Sequence, residues 1–243
     1  MRRRFFVDRF DGRRASLAGD VAHHAGRVLR VAPGQMYELS DGHAVWLARV
    51  ESAKRASVEF ALLEPVAVSE PKLFAALLLS IVKFDRFEWA LEKATELGVA
   101  EITPLGAARS EKALVVAATK RAARWQKILS ESAQQSRRLR APLLHPAARP
   151  ADAFRTATSA DSRPVLLFFS EDPEAPALRT ILESRRPANR VSLAIGPEGG
   201  WTDDERSAAL AAGFSEVSLG PTILRTETAV ASALAAINYA LEP

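Results

Sequence analysis

The sequence predicts an α/β protein in two parts, a small β-rich unit over residues 1–68 and an α/β domain over residues 72–243. Three observations lead there. Apolar runs at Leu73–Val82 and Val165–Phe169 are short and nearly continuous, the pattern of strands buried on both faces of a parallel sheet. Segments with helical spacing separate such runs, so that strand, helix and strand follow one another as a βαβ unit. The stretch Val191–Ala229 holds two glycine- and proline-bearing loops, Gly196-Pro197-Glu198-Gly199-Gly200 and Gly220-Pro221-Thr222-Ile223-Leu224-Arg225, each after a short apolar run and before a helix-like segment.

Composition narrows the class. With 243 residues, 48% hydrophobic and 26% charged, the chain is long and apolar enough to bury a real core. Cysteine is absent, which excludes disulfides, thiolate metal sites and a cysteine nucleophile. The start, Met1-Arg2-Arg3-Arg4-Phe5-Phe6, lacks the apolar core of a signal peptide, and the longest apolar run, Leu73–Leu79, is too short to span a bilayer. A soluble, cytoplasmic protein is expected. The net charge of +4 is unevenly spread: residues 1–30 carry eight arginines against three aspartates, and residues 109–140 carry nine basic side chains against Glu111 and Glu131. Two basic stretches point to a polyanionic partner. An arginine-rich solvated surface gives the same count, and only seven of the 33 basic residues are lysines.

In chain order, Phe5-Phe6-Val7 opens the β-rich unit. Gln35–Ser40 reads as a strand running into an Asp41-Gly42 turn, and Ala44–Val50 and Ser57–Leu63 continue the alternation. Between them Gly19–Arg30 reads as a short helix carrying Arg27 and Arg30. His23 and His24 are adjacent but have no acidic or histidine partner at ligand spacing, so packing or surface roles are expected of them rather than metal binding. Glu64–Pro71, with two prolines, is the expected linker.

The second part opens on the Leu73–Val82 strand. Asp85 with Glu88 starts a helix whose Phe87, Ala90, Leu91 and Ala94 share a face, and Gly98 stops it. Ala100–Leu105 is the next strand. Ala117–Ser136 reads as an amphipathic helix, with Ala118, Ala122, Trp125, Leu129 and Ala133 on one face and Lys120, Arg121, Arg124 and Lys127 opposite, where they can meet phosphates. Residues 146–164 read as a surface connection with a short helix around Asp152–Ala157, Val165–Glu171 as a strand ending in a polar loop, and Arg179–Arg186 as a helix returning the chain to Val191.

Val191–Ile195 alternates and then meets glycine, as a strand entering a tight turn does. Glycine lets a ligand approach the main chain without a Cβ in the way, and Pro197 pre-shapes the loop. Thr202 stands three residues before Glu205, a capping box opening a helix that ends near Gly213. Ser215–Leu219 is a further strand, Thr226 can cap the last helix, and Thr228–Leu241 is apolar around most of its circumference, so it is buried or shared with another subunit. Both loops thus fall at the carboxyl ends of strands, where open α/β sheets bind ligands. Structural turns remain the alternative for either loop alone. Neither a phosphate-loop nor a G-x-G-x-x-G spacing is present, so the glycines do not name the ligand.

The two segments Ile195–Glu205 and Leu219–Ala229 together resemble the paired cofactor loops of the RsmE family, small-subunit ribosomal RNA methyltransferases of the SPOUT class acting on uridine N3. The resemblance extends to Arg3–Val7, His24–Val31 with Pro33-Gly34, Lys83 with Glu92–Val99, and Glu131–Pro142, where Ser132 stands in place of a common alanine. It implies a PUA-like RNA-binding barrel over 1–68, a SPOUT domain over 72–243 with a C-terminal trefoil knot, S-adenosyl-L-methionine as cofactor, small-subunit ribosomal RNA or the assembled small subunit as partner, and a homodimer. The knot comes from the resemblance alone. Cofactor contacts are expected at Ile195, Gly196, Gly199, Gly200, Leu219, Gly220, Ile223 and Leu224, and RNA contacts at Arg3, Arg4, Arg27, Arg30, Lys83, Gln135 and Arg137. Methylating N3 requires loss of its proton, so a base or a cation stabilising the enolate form is needed. Glu198 and Arg225 are the candidate catalytic residues, with Glu227 a second acidic alternative. Each also has a structural reading: Glu198 bracing its loop, Glu227 favouring a helix N-terminus, Arg225 holding a phosphate. A SPOUT enzyme acting on another RNA or atom, and a non-catalytic RNA-binding or assembly protein, are the alternative functions.

Overall fold

A computed structural model describes residues 3–27, 29–68, 71–158, 164–185 and 188–241, and its contacts divide the chain into two compact units. The first comprises Met1–Glu70 together with Ser130–Ala141; the second comprises Pro71–Leu129 and Pro142–Pro243.

The first unit is a five-stranded sheet. Its elements are β1 (Arg4–Phe6), β2 (Arg14–Ala18), α1 (Gly19–Arg27), β3 (Met36–Ser40), β4 (Val45–Ala53) and β5 (Ser57–Pro65), in the strand order β1-β3-β4-β5-β2. β1 runs parallel to β3 and the remaining pairings are antiparallel. Alternation places Phe5, Leu17, Leu39, Val50, Val58 and Phe60 in one core, beneath α1 residues Ala22 and Ala25. Asp41 Oδ1 accepts from the main-chain N–H groups of His43 and Ala44, both at 2.9 Å, and closes the expected turn at Gly42. The alternation expected from the sequence is present, but β2 was not anticipated: Arg-Ala-Ser-Leu-Ala has no β-branched or aromatic strand former, and its burial of only Ala15 and Leu17 shows after pairing with β5.

The 130–141 segment belongs to this unit through polar contacts. The Arg4 side chain, 3% exposed as a residue, donates to Glu38 at 2.8 Å and to the Arg137 carbonyl at 2.5 Å. Arg137, in the left-handed region at φ 58°, also pairs with Glu38. Ser40 Oγ donates to the Leu139 carbonyl at 2.6 Å. Burial pushes the Glu38 carboxyl up, but hydrogen bonds from Arg137 and Arg4 and their charges outweigh it and hold it below the usual glutamate value.

The second unit alternates strands and helices: β6 (Phe74–Ser80), α2 (Phe84–Glu96), β7 (Glu101–Leu105), α3 (Lys112–Gln135), β8 (Leu143–Leu144), α4 (Pro150–Thr158), β9 (Val165–Phe169), α5 (Leu178–Glu183), β10 (Arg190–Ile195), α6 (Asp203–Ala211), β11 (Ser215–Val217) and α7 (Thr226–Leu241). Its six strands are all parallel, in the order β11-β9-β10-β6-β7-β8. β10 lies inside the sheet, so Val191–Ile195 is buried at every position instead of alternating in and out.

The helices pack as their spacing predicts. Phe87, Ala90, Leu91 and Ala94 of α2 are fully buried, and Trp125 of α3 packs on Phe87 with ring centroids 4.5 Å apart. α2 starts one residue before Asp85; Lys83 is its N-cap without a side-chain capping bond, and Asp85 favours the first turn by charge instead. α3 begins at Lys112, five residues earlier than expected, and Glu88 of α2 pairs with Arg121 at 3.6 Å and Arg124 at 2.7 Å. Two of the four cations expected to meet phosphate are therefore engaged within the protein. The 146–158 stretch is more than a surface connection: α4 starts on Pro150, and Phe154 is fully buried against Phe168, Trp201 and Phe214. α5 ends at Glu183, and Arg186, expected to close it, lies outside the described residues, as do Ser69 and Glu70 of the expected linker and Val28 of the matching motif. Among the described residues no helix is long and apolar enough to cross a membrane.

Candidate functional site

β9, β10 and β11 are neighbours in the sheet, so the loops leaving their carboxyl ends converge. Together with Arg109, which follows β7, they enclose a cavity of about 330 Å³, within the roughly 300–1,000 Å³ usual for small-molecule sites. The wall combines Ile195, Gly196, Pro197 and Gly200 of the first loop, Ser218–Leu224 of the second, and Ser170, Glu171 and Asp172 of the loop after β9.

Local forces hold each loop. Trp201 donates from Nε1 to the Phe169 carbonyl at 2.9 Å and lies on Phe168 at 4.9 Å, tying the loop after β10 to the end of β9. Gly196 is required by this arrangement: a Cβ there would stand 2.9 Å from Trp201 Nε1. Gly200 takes φ +69°, and its Cβ would stand 2.8 Å from a Glu171 carboxylate oxygen. The capping box is formed as expected, Thr202 and Glu205 bonding reciprocally at the start of α6, and the other Glu205 oxygen accepts from Ala108 N–H at 2.8 Å. Thr226 does not cap α7 as expected. It is the helix's first residue, and its hydroxyl donates to the Gly196 carbonyl at 3.2 Å, binding the second loop to the first.

Charge on the wall is arranged in two groups. Arg206 bonds to Glu216 at 2.6 Å and Asp172 at 3.2 Å, and the Glu216 hydrogen bond, with its charge, raises the guanidinium above its usual value. Arg109 donates to the Gly199 carbonyl at 2.9 Å.

Of the expected cofactor residues, Ile195, Gly196, Gly200, Leu219, Gly220, Ile223 and Leu224 line the cavity, Ile223 with 79% of its surface exposed. Gly199 stands behind the wall, where its carbonyl fixes Arg109. Neither candidate catalytic residue is on the wall. Glu198 turns away to pair with Arg86 of α2, and Arg225 is exposed just before Thr226. Glu227 is in the first turn of α7, with one carboxylate oxygen buried and unpartnered among the described residues.

The expected RNA contacts are dispersed. Lys83 and Gln135 are exposed at a helix start and a helix end. Arg27 and Arg30 are exposed at the end of α1 and after it, and Arg27 lines a cavity of about 450 Å³ with His23, Lys54 and Arg55. Arg3 is partly buried, and Arg137 is partly exposed while paired with Glu38. Arg4 departs from expectation: it is buried, and its guanidinium is occupied by Glu38 and Arg137, so it serves packing rather than RNA. Sequence reasoning missed Arg86, Arg109, Glu171 and Arg206. None belongs to a glycine motif, and only folding brings them beside one.

The RNA methyltransferase domain family matches residues 69–238 of this chain. Ribosomal RNA small subunit methyltransferase E of Synechocystis sp. is 35% identical over 223 residues, 90% of this chain and 71% of that protein. The Bacillus subtilis protein of the same name is 30% identical over 231 residues, 93% of this chain and 90% of its own length. Among solved structures, ribosomal RNA small subunit methyltransferase E from Neisseria gonorrhoeae bound to S-adenosyl methionine is similar with a TM-score of 0.88 at 32% identity, covering 99% of this chain and 98% of that one. A Legionella pneumophila protein in complex with the bound cofactor SAM is similar with a TM-score of 0.87 at 28% identity, covering 100% and 99%.

Proposed function

We propose, from the premise that this chain belongs to the RNA methyltransferase family that includes ribosomal RNA small subunit methyltransferase E, that it methylates N3 of a uridine in 16S ribosomal RNA, with S-adenosylmethionine as donor. The observation that carries this reading is the single cavity that both glycine loops build at the carboxyl ends of β9, β10 and β11. Its wall suits a nucleoside with a charged tail: Ile195, Leu219, Ile223 and Leu224 offer apolar surface to a ring, glycines expose the main chain, and charged side chains stand beside them. Bound there, S-adenosylmethionine supplies a sulfonium methyl group that a ring nitrogen takes in one displacement.

The protein's work is then alignment and proton removal. We assign Glu198 to the N3 proton and Arg225 to the negative charge left on the uracil oxygens. Both stand off the cavity wall on exposed segments, where an incoming base meets them and the donor does not. The Arg86 ion pair orients the Glu198 carboxylate. Arg3, Arg27, Arg30, Lys83, Gln135 and Arg137 are assigned to RNA. A paired uridine hides N3, so the target is unpaired or extruded. A cytoplasmic homodimer with a trefoil-knotted C-terminal region completes the proposal. An exposed α7 face of Thr228, Ser232, Ala235, Ala236 and Tyr239, the last 92% exposed, supports association with a second copy.

The test incubates purified protein and labelled S-adenosylmethionine with small ribosomal subunits lacking native methylation, followed by nucleoside analysis. Label in 3-methyluridine of the 16S RNA is the expected result. Label in another nucleoside moves the protein to a different substrate, and folded protein that neither binds S-adenosylmethionine nor transfers label favours the non-catalytic RNA-binding reading.

A further inference from the structure

The cavity wall carries two cations, Arg109 and Arg206, and they are in different electrostatic situations. Arg206 is neutralised by Glu216 and Asp172. Arg109 has no carboxylate partner among the described residues; one of its N–H groups is spent on the Gly199 carbonyl, which fixes the guanidinium and leaves its other N–H groups uncommitted. Glu171, on the same wall, is likewise without an ion pair or hydrogen bond among the described residues.

Gly200 brings the two together. A Cβ at that position would lie 2.8 Å from Glu171 Oε1 and 3.7 Å from Arg109 Nη1, so the two charged ends converge beside the Gly200 Cα without pairing with each other. Any other residue there would have to adopt φ +69° and push Glu171 aside. A cation and an anion converging on one stretch of wall, neither neutralised, are complementary to a zwitterion.

We propose that Arg109 and Glu171 form an amino-acid subsite, in which the Arg109 guanidinium receives the carboxylate and the Glu171 carboxylate receives the ammonium of the methionine end of S-adenosylmethionine. This assignment rests on the reading of the cavity as the S-adenosylmethionine site. A guanidinium fork suits a carboxylate in a way an ammonium does not, and an ammonium supplies three donors to a carboxylate. The apolar residues Ile195, Leu219, Ile223 and Leu224 are then left for the adenosine end.

Calorimetric binding to the RNA-free protein separates the ends, using S-adenosylmethionine, its decarboxylated form, which lacks the carboxylate but keeps the ammonium, and 5′-methylthioadenosine, which lacks both. Arg109→Gln removes the charge and keeps a side-chain amide donor. It is expected to weaken S-adenosylmethionine about tenfold to a hundredfold, as for loss of a charged hydrogen bond, and to leave the other two ligands nearly unchanged. Glu171→Gln is expected to weaken S-adenosylmethionine and the decarboxylated form alike and to spare 5′-methylthioadenosine. Equal losses for all three ligands, or no loss for any, would overturn the subsite while leaving the cavity reading intact. Folded wild-type protein that binds none of them would overturn the cavity reading, and the subsite with it.

Discussion

Gly196 shows how one missing Cβ shapes the site. Sequence reasoning read this glycine as room for a ligand to approach the main chain; the nearest occupant of that room is the protein's own Trp201, whose indole is held by the Phe169 carbonyl and by Phe168. Gly196→Ala is therefore expected to displace Trp201 and destabilise the fold by about 1–3 kcal/mol, the usual range for overpacking. Urea unfolding measures it. The contact also predicts coupling. Trp201→Phe removes the Nε1 atom that the new methyl would meet, so Gly196→Ala with Trp201→Phe should cost less than the sum of the single changes, whereas additive costs would mean the methyl meets something else. Arg109 and Glu171 lie at the other extreme of legibility. Both are ordinary charged residues in their own segments, and their relation exists only because Gly200 stands between loops that are distant in sequence.

Elements were legible wherever a period or a cap was written locally. The α2 stripe and the Thr202–Glu205 box needed no tertiary information, and Thr202→Ala is expected to cost about 1 kcal/mol, read from the urea midpoint. Glu205→Ala should cost more, because the same carboxylate also holds Ala108 N–H. Elements defined by partners were not legible. β8 is two residues placed by β7, and β2 is a weak alternation placed by β5. The Glu38 cluster is of this second kind, joining β1, β3 and the segment after α3. Its folded carboxyl is held below the usual glutamate value, so its stabilisation is present in full above the unfolded value of about 4.3 and disappears as pH falls through the lower, folded one. Urea midpoints of the wild type should drop on acidification below about pH 4.3, and Glu38→Gln should flatten that part of the profile. Removing the carboxyl also strands the buried Arg4, so the variant is expected to be less stable at neutral pH by about 3–5 kcal/mol, the range for breaking a buried pair.

Across the whole molecule, the regional charge counts overstated the cations available to RNA. In the stretch 109–140, Arg121 and Arg124 are paired with Glu88, and Arg109 is fixed beside the two glycine loops. Sequence counts charges without showing which are neutralised, and every one of these partners lies far along the chain. In the first unit, by contrast, Arg27, Lys54 and Arg55 border a cavity that no acidic side chain lines among the described residues. Phosphate contacts release condensed counterions, each contact adding about 0.7–0.9 to the slope of log affinity against log salt. If RNA uses these side chains, Arg27→Ala, Lys54→Ala and Arg55→Ala should each lower that slope by roughly this amount and weaken all RNA sequences alike. Arg124→Ala, whose charge is already matched by Glu88, should change it little. Fluorescence anisotropy of labelled 16S RNA fragments across a salt series measures both. Because Arg27, Lys54 and Arg55 belong to a different compact unit from the cavity proposed for S-adenosylmethionine, its affinity should stay constant in all three variants. An unchanged slope in every one of them would remove this face from the RNA-binding surface and leave the second unit to supply it.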